Sequence, residues 1–205
     1  MINNLYTIGI CGFAGAGKTT LLEILSELLS DLIMIDLDPL VFNARLRRKD
    51  EILDKAGYWY FNDDGTLTED ADTLIKLENA PKGTLTKINQ IVSNDVLQYI
   101  HNLITSGDGT KAKKLAIGFT MIPVFGFWKD VDYKILLNTN FDVRREKLKQ
   151  RGVRVYGAQL HIVDNLNEEC YKDVCFNRTI CNIYDTDKFR DEAKQVIAEI
   201  RKVSE

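Results

Sequence analysis

Hydrophobic residues near the start of the chain first alternate and then recur at helical spacing. Tyr6, Ile8 and Ile10 alternate with smaller residues, which is the pattern of a buried β-strand. The leucines that follow share one face of a predicted amphipathic helix; they are Leu21, Leu22, Leu25, Leu28, Leu29 and Leu32. A further apolar run at 33–35 predicts a second strand. The chain therefore begins with a predicted strand, helix and strand.

The same two periods continue to the end of the chain. The remaining predicted elements are helices over about 43–57 and 84–105, strands over 115–124 and 133–137, a helix over 142–152, a helical stretch to about 175, a strand over 179–183 and a final helix from 187. Strands that alternate with helices predict an α/β fold. We expect a doubly wound parallel sheet of about five strands, flanked by helices, in one domain spanning 1–205.

Between the first strand and the first helix the chain reads GFAGAGKTT, which fits the phosphate-binding pattern GxxxxGK[ST]. Glycines allow the close backbone approach that points amide N–H groups at phosphate oxygens, and the helix adds its positive dipole end. The pattern predicts a nucleoside triphosphate, with Lys18 on its β and γ phosphates and the Thr19 hydroxyl on Mg²⁺. The predicted phosphate-binding residues are Gly12, Ala14, Gly15, Ala16, Gly17, Lys18, Thr19 and Thr20.

Composition excludes several classes of protein. The formal net charge of -3 gives no basic field, so nucleic acid is not an expected partner, although short basic runs occur at 45–49 and 144–154. The absence of a long apolar run and of a signal-peptide pattern predicts a cytoplasmic protein with no membrane partner. The four cysteines show no CxxC spacing and are expected to be reduced; they are Cys11, Cys170, Cys175 and Cys181.

A phosphate-binding loop is shared by kinases, GTPases and several ATPases, so a second signal must separate these classes. The N/TKxD element with which GTPases read the base does not occur in the sequence. The predicted third strand, 115–124, lacks the carboxylate that follows the apolar residues of that strand in many ATPases. Two carboxylates, Asp36 and Asp38, instead follow the second strand, at the sheet edge where open α/β folds bind ligands. These features favour a small-molecule kinase.

Along nearly its whole length the chain resembles dephospho-CoA kinase, a family of the P-loop nucleoside and nucleotide kinase superfamily. The matching segments, in chain order, are 36–38 (DLD) for the family's DAD, 64–67 (DGTL) for its DG segment, 87–96 (KINQIVSNDV) for its helix with an asparagine and HPxV, 122–125 (IPVF) for PLLFE, 145–152 (REKLKQRG) for the lid helix with RLxxR, and 181–182 (CN) for its last strand. The chain differs from the family at Ser93 and Asn94, which replace HP, and it lacks the arginine after Leu67 and the glutamate of PLLFE.

The resemblance implies a helical acceptor-binding insertion over about 40–105 and a lid over about 141–176. It further implies that ATP, with Mg²⁺, donates its γ-phosphoryl group to the ribose 3′-hydroxyl of dephospho-CoA. Asp38, which matches the second carboxylate of DAD, would orient or deprotonate that hydroxyl, and Asp36 would assist at the metal. Arg151 would contact the ATP phosphates when the lid closes.

Several alternatives stay open at this point. The acceptor is alternatively a nucleoside or nucleoside monophosphate, and the differences from the family also suit a nucleotide-binding protein without transfer activity. Arg145 and Arg151 lie on roughly opposite faces of an ideal helix, so both serve one nucleotide only if the helix bends or ends near Gly152. We expect Arg144 to lie on a solvated helix face. The aromatic run 59–61 either flanks the acceptor or joins the core.

Overall fold

A computed structural model describes residues 5–68, 70–105, 112–152 and 158–204. The strands in this part of the chain are β1 (Tyr6–Gly12), β2 (Leu32–Asp36), β3 (Lys114–Gly118), β4 (Tyr133–Asn138) and β5 (Arg178–Cys181). They form one five-stranded sheet in the order β2-β3-β1-β4-β5, and every neighbouring pair is parallel. The predicted parallel sheet of about five strands is confirmed.

Helices cover both faces of the sheet, as a fully parallel sheet requires. The helices in the described residues are α1 (Lys18–Leu28), α2 (Asp38–Arg47), α3 (Lys49–Ala56), α4 (Ala71–Glu78), α5 (Thr84–Ile91), α6 (Ser93–Thr105), α7 (Phe141–Gln150), α8 (Ala158–Glu168) and α9 (Thr186–Ser204). None of them combines the length and hydrophobicity that crossing a bilayer requires.

The central strand β1 separates two hydrophobic cores. Ile8 and Ile10 are fully buried against α1 and α9 on one face. Cys11 points to the other face, where the helices between β2 and β3 pack. Because side chains alternate along a strand, β1 is apolar on both faces and is held rigidly at the middle of the sheet. Its carboxyl end therefore gives the phosphate-binding loop a fixed starting point.

The structure divides two segments that the hydrophobic pattern predicts as single helices. The predicted helix 84–105 is α5 followed by α6, with the break at Val92 just before Ser93, a residue type that favours helix starts. The predicted helix 43–57 is α2 followed by α3. It begins earlier than predicted, at Asp38, because Pro39 suits the first helical turn.

The predicted strand 115–124 is also too long. β3 ends at Gly118, and the chain continues as two 3₁₀ turns, Ile122–Val124 and Gly126–Asp130. Pro123 has no N–H group for a strand ladder, which explains why the strand does not extend through it. The insertion and the lid predicted over about 40–105 and 141–176 correspond to the chain regions of α2 to α6 and of α7 and α8, and their roles stay predictions.

Candidate active site

The phosphate-binding loop joins the end of β1 to the start of α1, at the carboxyl edge of the sheet. Gly17, the last residue before α1, has a φ of 100°, in the left-handed region that favours glycine. A Cβ atom at this position would lie 2.5 Å from Asn182 Nδ2. The loop therefore requires glycine here both for its backbone angle and for the close approach of the segment after β5.

Side chains from distant parts of the chain hold the carbonyl groups of the loop. The bonds run from Arg144 Nη1 to Ala14 O (3.0 Å), from Asn182 Nδ2 to Ala16 O (2.9 Å), from Thr139 Oγ1 to Ala16 O (3.3 Å) and from the Tyr184 hydroxyl to Gly15 O. The C=O and N–H groups of a trans peptide unit point in opposite directions. Anchoring the Ala16 carbonyl therefore turns the Gly17 N–H the other way, away from these side chains. The loop is held as a donor surface by the surrounding protein.

Lys18, the first residue of α1, reaches back across the loop. Its Nζ donates hydrogen bonds to Gly12 O at 2.9 Å, to Phe13 O at 3.3 Å and to the Thr120 hydroxyl at 3.0 Å. Burial lowers the pKa of Lys18, and the carboxylate of Asp38 opposes that shift. The structure thus places an ammonium group between the ends of two neighbouring strands, β1 and β3, where the loop begins.

Thr19 and Asp36 form an oxygen-rich pair beside the loop. Thr19 Oγ1 donates to Asp36 Oδ2 at 2.9 Å, and Asp36 Oδ1 accepts from the Asp38 N–H at 3.1 Å. Mg²⁺ prefers such hard oxygen ligands and takes few of them from the protein, the rest coming from phosphates and water. The described residues contain no group of three or more His, Cys, Asp or Glu that would suit a metal. The donor set therefore fits a magnesium ion shared with a nucleotide.

Asp38 opens α2 at the end of β2 and faces the loop. Burial raises the pKa of its carboxyl group; Lys18 lowers this pKa, Asp36 raises it, and Arg45 lowers it. A carboxylate with a raised pKa accepts a proton more readily than an exposed one. Its position and its chemistry suit the orientation or deprotonation of a hydroxyl group.

Asp38 and the loop line one cleft of about 310 Å³. The predicted site residues that line it are Ala14, Gly15, Gly17, Lys18, Thr19, Thr20, Asp38 and Arg151. Gly12 and Ala16 are buried within the loop. Asp36 does not line the cleft, but it accepts a hydrogen bond from Thr19, which does. The structure brings the predicted residues together, and their individual roles stay predictions.

Apart from Arg45, the far side of the cleft is apolar and aromatic. Its side chains come from separate parts of the chain; they are Phe42, Phe61, Leu67, Leu85, Phe119 and Met121. The turn that carries Phe61 and Leu67 packs against α2 at Gly65, where a Cβ atom would lie 2.3 Å from the Phe42 carbonyl oxygen. Of the aromatic run 59–61, Phe61 lines the cleft and Tyr60 is buried in the core.

The expectation that Arg144 is solvated is wrong. Arg144 is 3% exposed and forms an ion pair with Asp164 of α8, in which Nη1 donates to Oδ1 at 3.3 Å. Its Nε donates to Thr139 O at 3.2 Å, and its guanidinium carbon lies 5.1 Å from the Phe13 ring centroid. The first turn of α7 packs onto the loop, and this burial makes Arg144 a support for the loop and for α8.

Arg151 and Arg145 differ in the way that helix geometry predicts. Arg151 lies just after α7, is exposed, and lines both the cleft and a second cavity of about 370 Å³ between α7 and the segment after β5. Arg145 pairs with Asp142 at 3.2 Å on the outer surface of the same helix. The end of α7 therefore brings Arg151, rather than Arg145, to the loop.

Sequence reasoning missed most of the residues that support the loop, namely Thr120, Thr139, Arg144, Asn182 and Tyr184. Asn182 lies in a segment that resembles the last strand of the kinase family, and that segment was the available signal. Tyr184 has a φ of 59°, unusual for a residue other than glycine, and no local sequence pattern indicates it. The supports lie more than a hundred positions from the loop, so they become visible in the fold alone.

The fold and the loop define the class of protein: an α/β domain with a P-loop at the carboxyl edge of a parallel five-stranded sheet. The chain belongs to the AAA domain family, whose model matches residues 8–172. A comparison with curated protein sequences finds no match.

Several solved structures are similar to this chain over nearly its whole length. TT1252 from Thermus thermophilus is 18% identical, with a TM-score of 0.64 over 96% of this chain and 98% of that chain. Shikimate kinase from Acinetobacter baumannii, solved in complex with shikimate, is 21% identical, with a TM-score of 0.52 over 98% of this chain and 96% of that chain. Dephospho-CoA kinase from Campylobacter jejuni is 17% identical, with a TM-score of 0.45 over 95% of this chain and 97% of that chain.

Proposed function

We propose that the protein is an ATP-dependent kinase that phosphorylates the ribose 3′-hydroxyl of dephospho-CoA and releases CoA and ADP. The observation that carries the proposal is that one cleft holds a phosphate-binding loop at one end and a half-buried carboxylate, Asp38, beside it. The ordered resemblance of the sequence to dephospho-CoA kinase supplies the acceptor. The apolar and aromatic far side of the cleft suits an organic acceptor larger than water.

In this proposal the chain contributes positioning and charge. Lys18 and the loop N–H groups would bind the phosphates, and Arg151 would add a second cation from the end of α7. Asp38 would orient the acceptor hydroxyl toward the γ-phosphorus and accept its proton. The hydroxyl oxygen then bonds to phosphorus as the bond between phosphorus and the β,γ-bridging oxygen breaks, and ADP leaves.

Magnesium fits the oxygen ligands of Thr19 and Asp36 and would neutralise charge on the nucleotide phosphates when bound. Asp36 also accepts the Asp38 N–H, so the same carboxylate links the metal ligands to the start of α2. This link would fix the distance between the metal site and Asp38.

The test is ADP release from ATP and magnesium with one added acceptor at a time: dephospho-CoA, adenosine, AMP or shikimate. We expect dephospho-CoA to stimulate ADP release most, with CoA as the product identified by mass, and we expect Lys18→Ala to abolish the signal. Stronger stimulation by adenosine or AMP would mean that the acceptor is a nucleoside or nucleotide rather than dephospho-CoA. ADP release that is equal with and without every acceptor would show an ATPase, and tight ATP binding without turnover would show a nucleotide-binding protein.

A further inference from the structure

Arg45 of α2 is a buried cation on the far side of the cleft, where the proposed acceptor would bind. It is 5% exposed, and it lines the cleft together with Asp38. The two residues lie about two helical turns apart on the same helix. Side chains tilt toward the N-terminus of a helix, so the Arg45 side chain leads back toward Asp38. Burial lowers the pKa of Arg45, and the Asp38 carboxylate opposes that shift. Burial raises the pKa of Asp38, and the Arg45 guanidinium opposes that shift in turn.

Among the described residues, the Arg45 guanidinium has fewer partners than its burial demands. Its Nη2 donates to Asn89 Oδ1 at 2.8 Å, whereas its buried Nε donates to no acceptor. The guanidinium carbon lies 4.5 Å from the Phe61 ring centroid and 5.5 Å from that of Phe42. Two aromatic faces and one neutral amide attract a cation but do not neutralise it.

Asn89 holds the guanidinium in place. Asn89 is fully buried on α5, and its Nδ2 donates to Leu85 O at 2.9 Å and contacts Met121 Sδ at 3.1 Å. With both amide hydrogens directed at these groups, Oδ1 is left to accept from Arg45. The arginine is thus fixed by its neighbours in a rigid position rather than free to follow solvent.

Arg45 forms no ion pair with any described residue; a buried cation in that state is costly, and an anionic ligand removes that cost. We propose that Arg45 binds an anionic group of the acceptor, a phosphate or a carboxylate, held about one sugar ring away from the hydroxyl that Asp38 activates. The inference rests on the proposed phosphoryl transfer and narrows its substrate class to acidic acceptors. In dephospho-CoA the group that Arg45 binds is the diphosphate on the ribose 5′ position.

The test compares an anionic and a neutral acceptor that share a ribose, dephospho-CoA and adenosine. In Arg45→Met we expect the KM for dephospho-CoA to rise about 10- to 100-fold, as loss of a charged hydrogen bond predicts, while the KM values for adenosine and ATP stay unchanged. Arg47→Met is the matched control, because Arg47 lies on the exposed side of the same helix with its side chain 63% exposed. Equal KM changes for both acceptors, or none for dephospho-CoA, would contradict the inference.

The pH profile separates a contact in the cleft from a general loss of structure. Asp38 faces Lys18, Asp36 and Arg45, and Arg45 lowers its pKa. Arg45→Met should therefore move the acidic limb of the kcat profile to higher pH, and Arg47→Met should leave it in place. If Arg45→Met does not fold, Arg45→Lys is measured instead. Lysine keeps the positive charge but lacks the planar guanidinium group. We therefore expect the KM for dephospho-CoA to rise by less than the rise expected for Arg45→Met, and the KM for adenosine to stay unchanged.

Binding measurements distinguish failure of this inference from failure of the kinase proposal. Calorimetry is run with a non-hydrolysable ATP analogue at saturation, so that the phosphate loop is filled, and with dephospho-CoA, AMP or shikimate as probe. If no acceptor is phosphorylated but wild type binds one of these anions and Arg45→Met does not, the kinase proposal fails and the Arg45 site stands. If wild type binds none of the three, or Arg45→Met binds as tightly as wild type, the Arg45 inference is overturned.

Discussion

The two ends of the cleft are built in different ways. The phosphate end is one continuous segment, 12–20, whose carbonyl groups are held by side chains from outside it. The acceptor end is assembled from single side chains on α2, on α5, on the turn at 61–67 and on the segment after β3. A continuous segment can be recognised from its own sequence pattern, whereas an assembled surface depends on how distant elements pack. Asp38 lies where the two ends meet.

Asp38→Asn gives the largest expected effect and tests whether Asp38 belongs to the chemistry or to binding. Asparagine keeps the size of the side chain but cannot accept the hydroxyl proton. We expect kcat to fall about 10²- to 10⁴-fold, with the ATP dissociation constant nearly unchanged. Single-turnover kinetics and calorimetry with the ATP analogue measure the two quantities. Unchanged turnover would remove Asp38 from its proposed role.

Arg144→Met tests whether the phosphate end depends on support from α7. Arg144 is buried in an ion pair, and losing one partner of a buried pair typically costs about 3–5 kcal/mol of unfolding free energy. Arg145→Met is the matched control: it removes the neighbouring exposed arginine, and surface pairs contribute less than about 1 kcal/mol. Urea unfolding measures both variants. Equal stability of the two would mean that α7 does not hold the loop through Arg144.

The sequence was sufficient to predict the residues of the phosphate end because they are close together in the chain, whereas the side chains that support the loop are distant from it. The glycines, Lys18 and Thr19 follow one another, and Asp36 and Asp38 come directly after an apolar run. The sheet was predictable for a related reason, since buried parallel strands appear as continuous or alternating apolar segments. Strand order and the break at Val92 depend on packing between elements, which the apolar pattern does not encode.

Arg144 and Arg45 show why charged residues were harder to place. Both lie in basic runs, which usually face solvent, yet each is buried by packing of its helix. For Arg45 a signal was available: it lies four positions after Val41 on a buried helix face, which predicts that it points inward. For Arg144 the decisive partner is Asp164, on another helix, and no spacing in the sequence indicates that pair.

Three glycine variants compare the ends directly, because Gly17, Gly65 and Gly57 all have positive φ. Gly57→Ala is the control: apart from its chain neighbours, no described residue has an atom within 4 Å of its Cβ position, so the backbone angle alone should cost about 1–2 kcal/mol. Gly17→Ala also displaces Asn182 from the loop, so we expect weaker ATP binding. Gly65→Ala collides with the α2 backbone at Phe42, so we expect a larger loss of stability and a higher KM for the acceptor. Calorimetry with the ATP analogue, steady-state kinetics and urea unfolding measure these changes. Similar losses of ATP affinity in both variants would mean that the two ends are not separable.

The smallest expected effect is a shift in pH dependence that probes the boundary between the ends. Burial raises the pKa of Asp38 above the ordinary aspartate value, so the active carboxylate is lost as pH falls through that raised pKa. The rate should therefore increase with pH across that raised pKa. Asp36 raises this pKa and Arg45 lowers it, so Asp36→Asn should move the acidic limb to lower pH and Arg45→Met should move it to higher pH. The kcat profile of each variant, measured with saturating magnesium, checks the two directions. Shifts of the same sign would mean that the limb reports a group other than Asp38, because Asp36 and Arg45 act on the pKa of Asp38 with opposite signs.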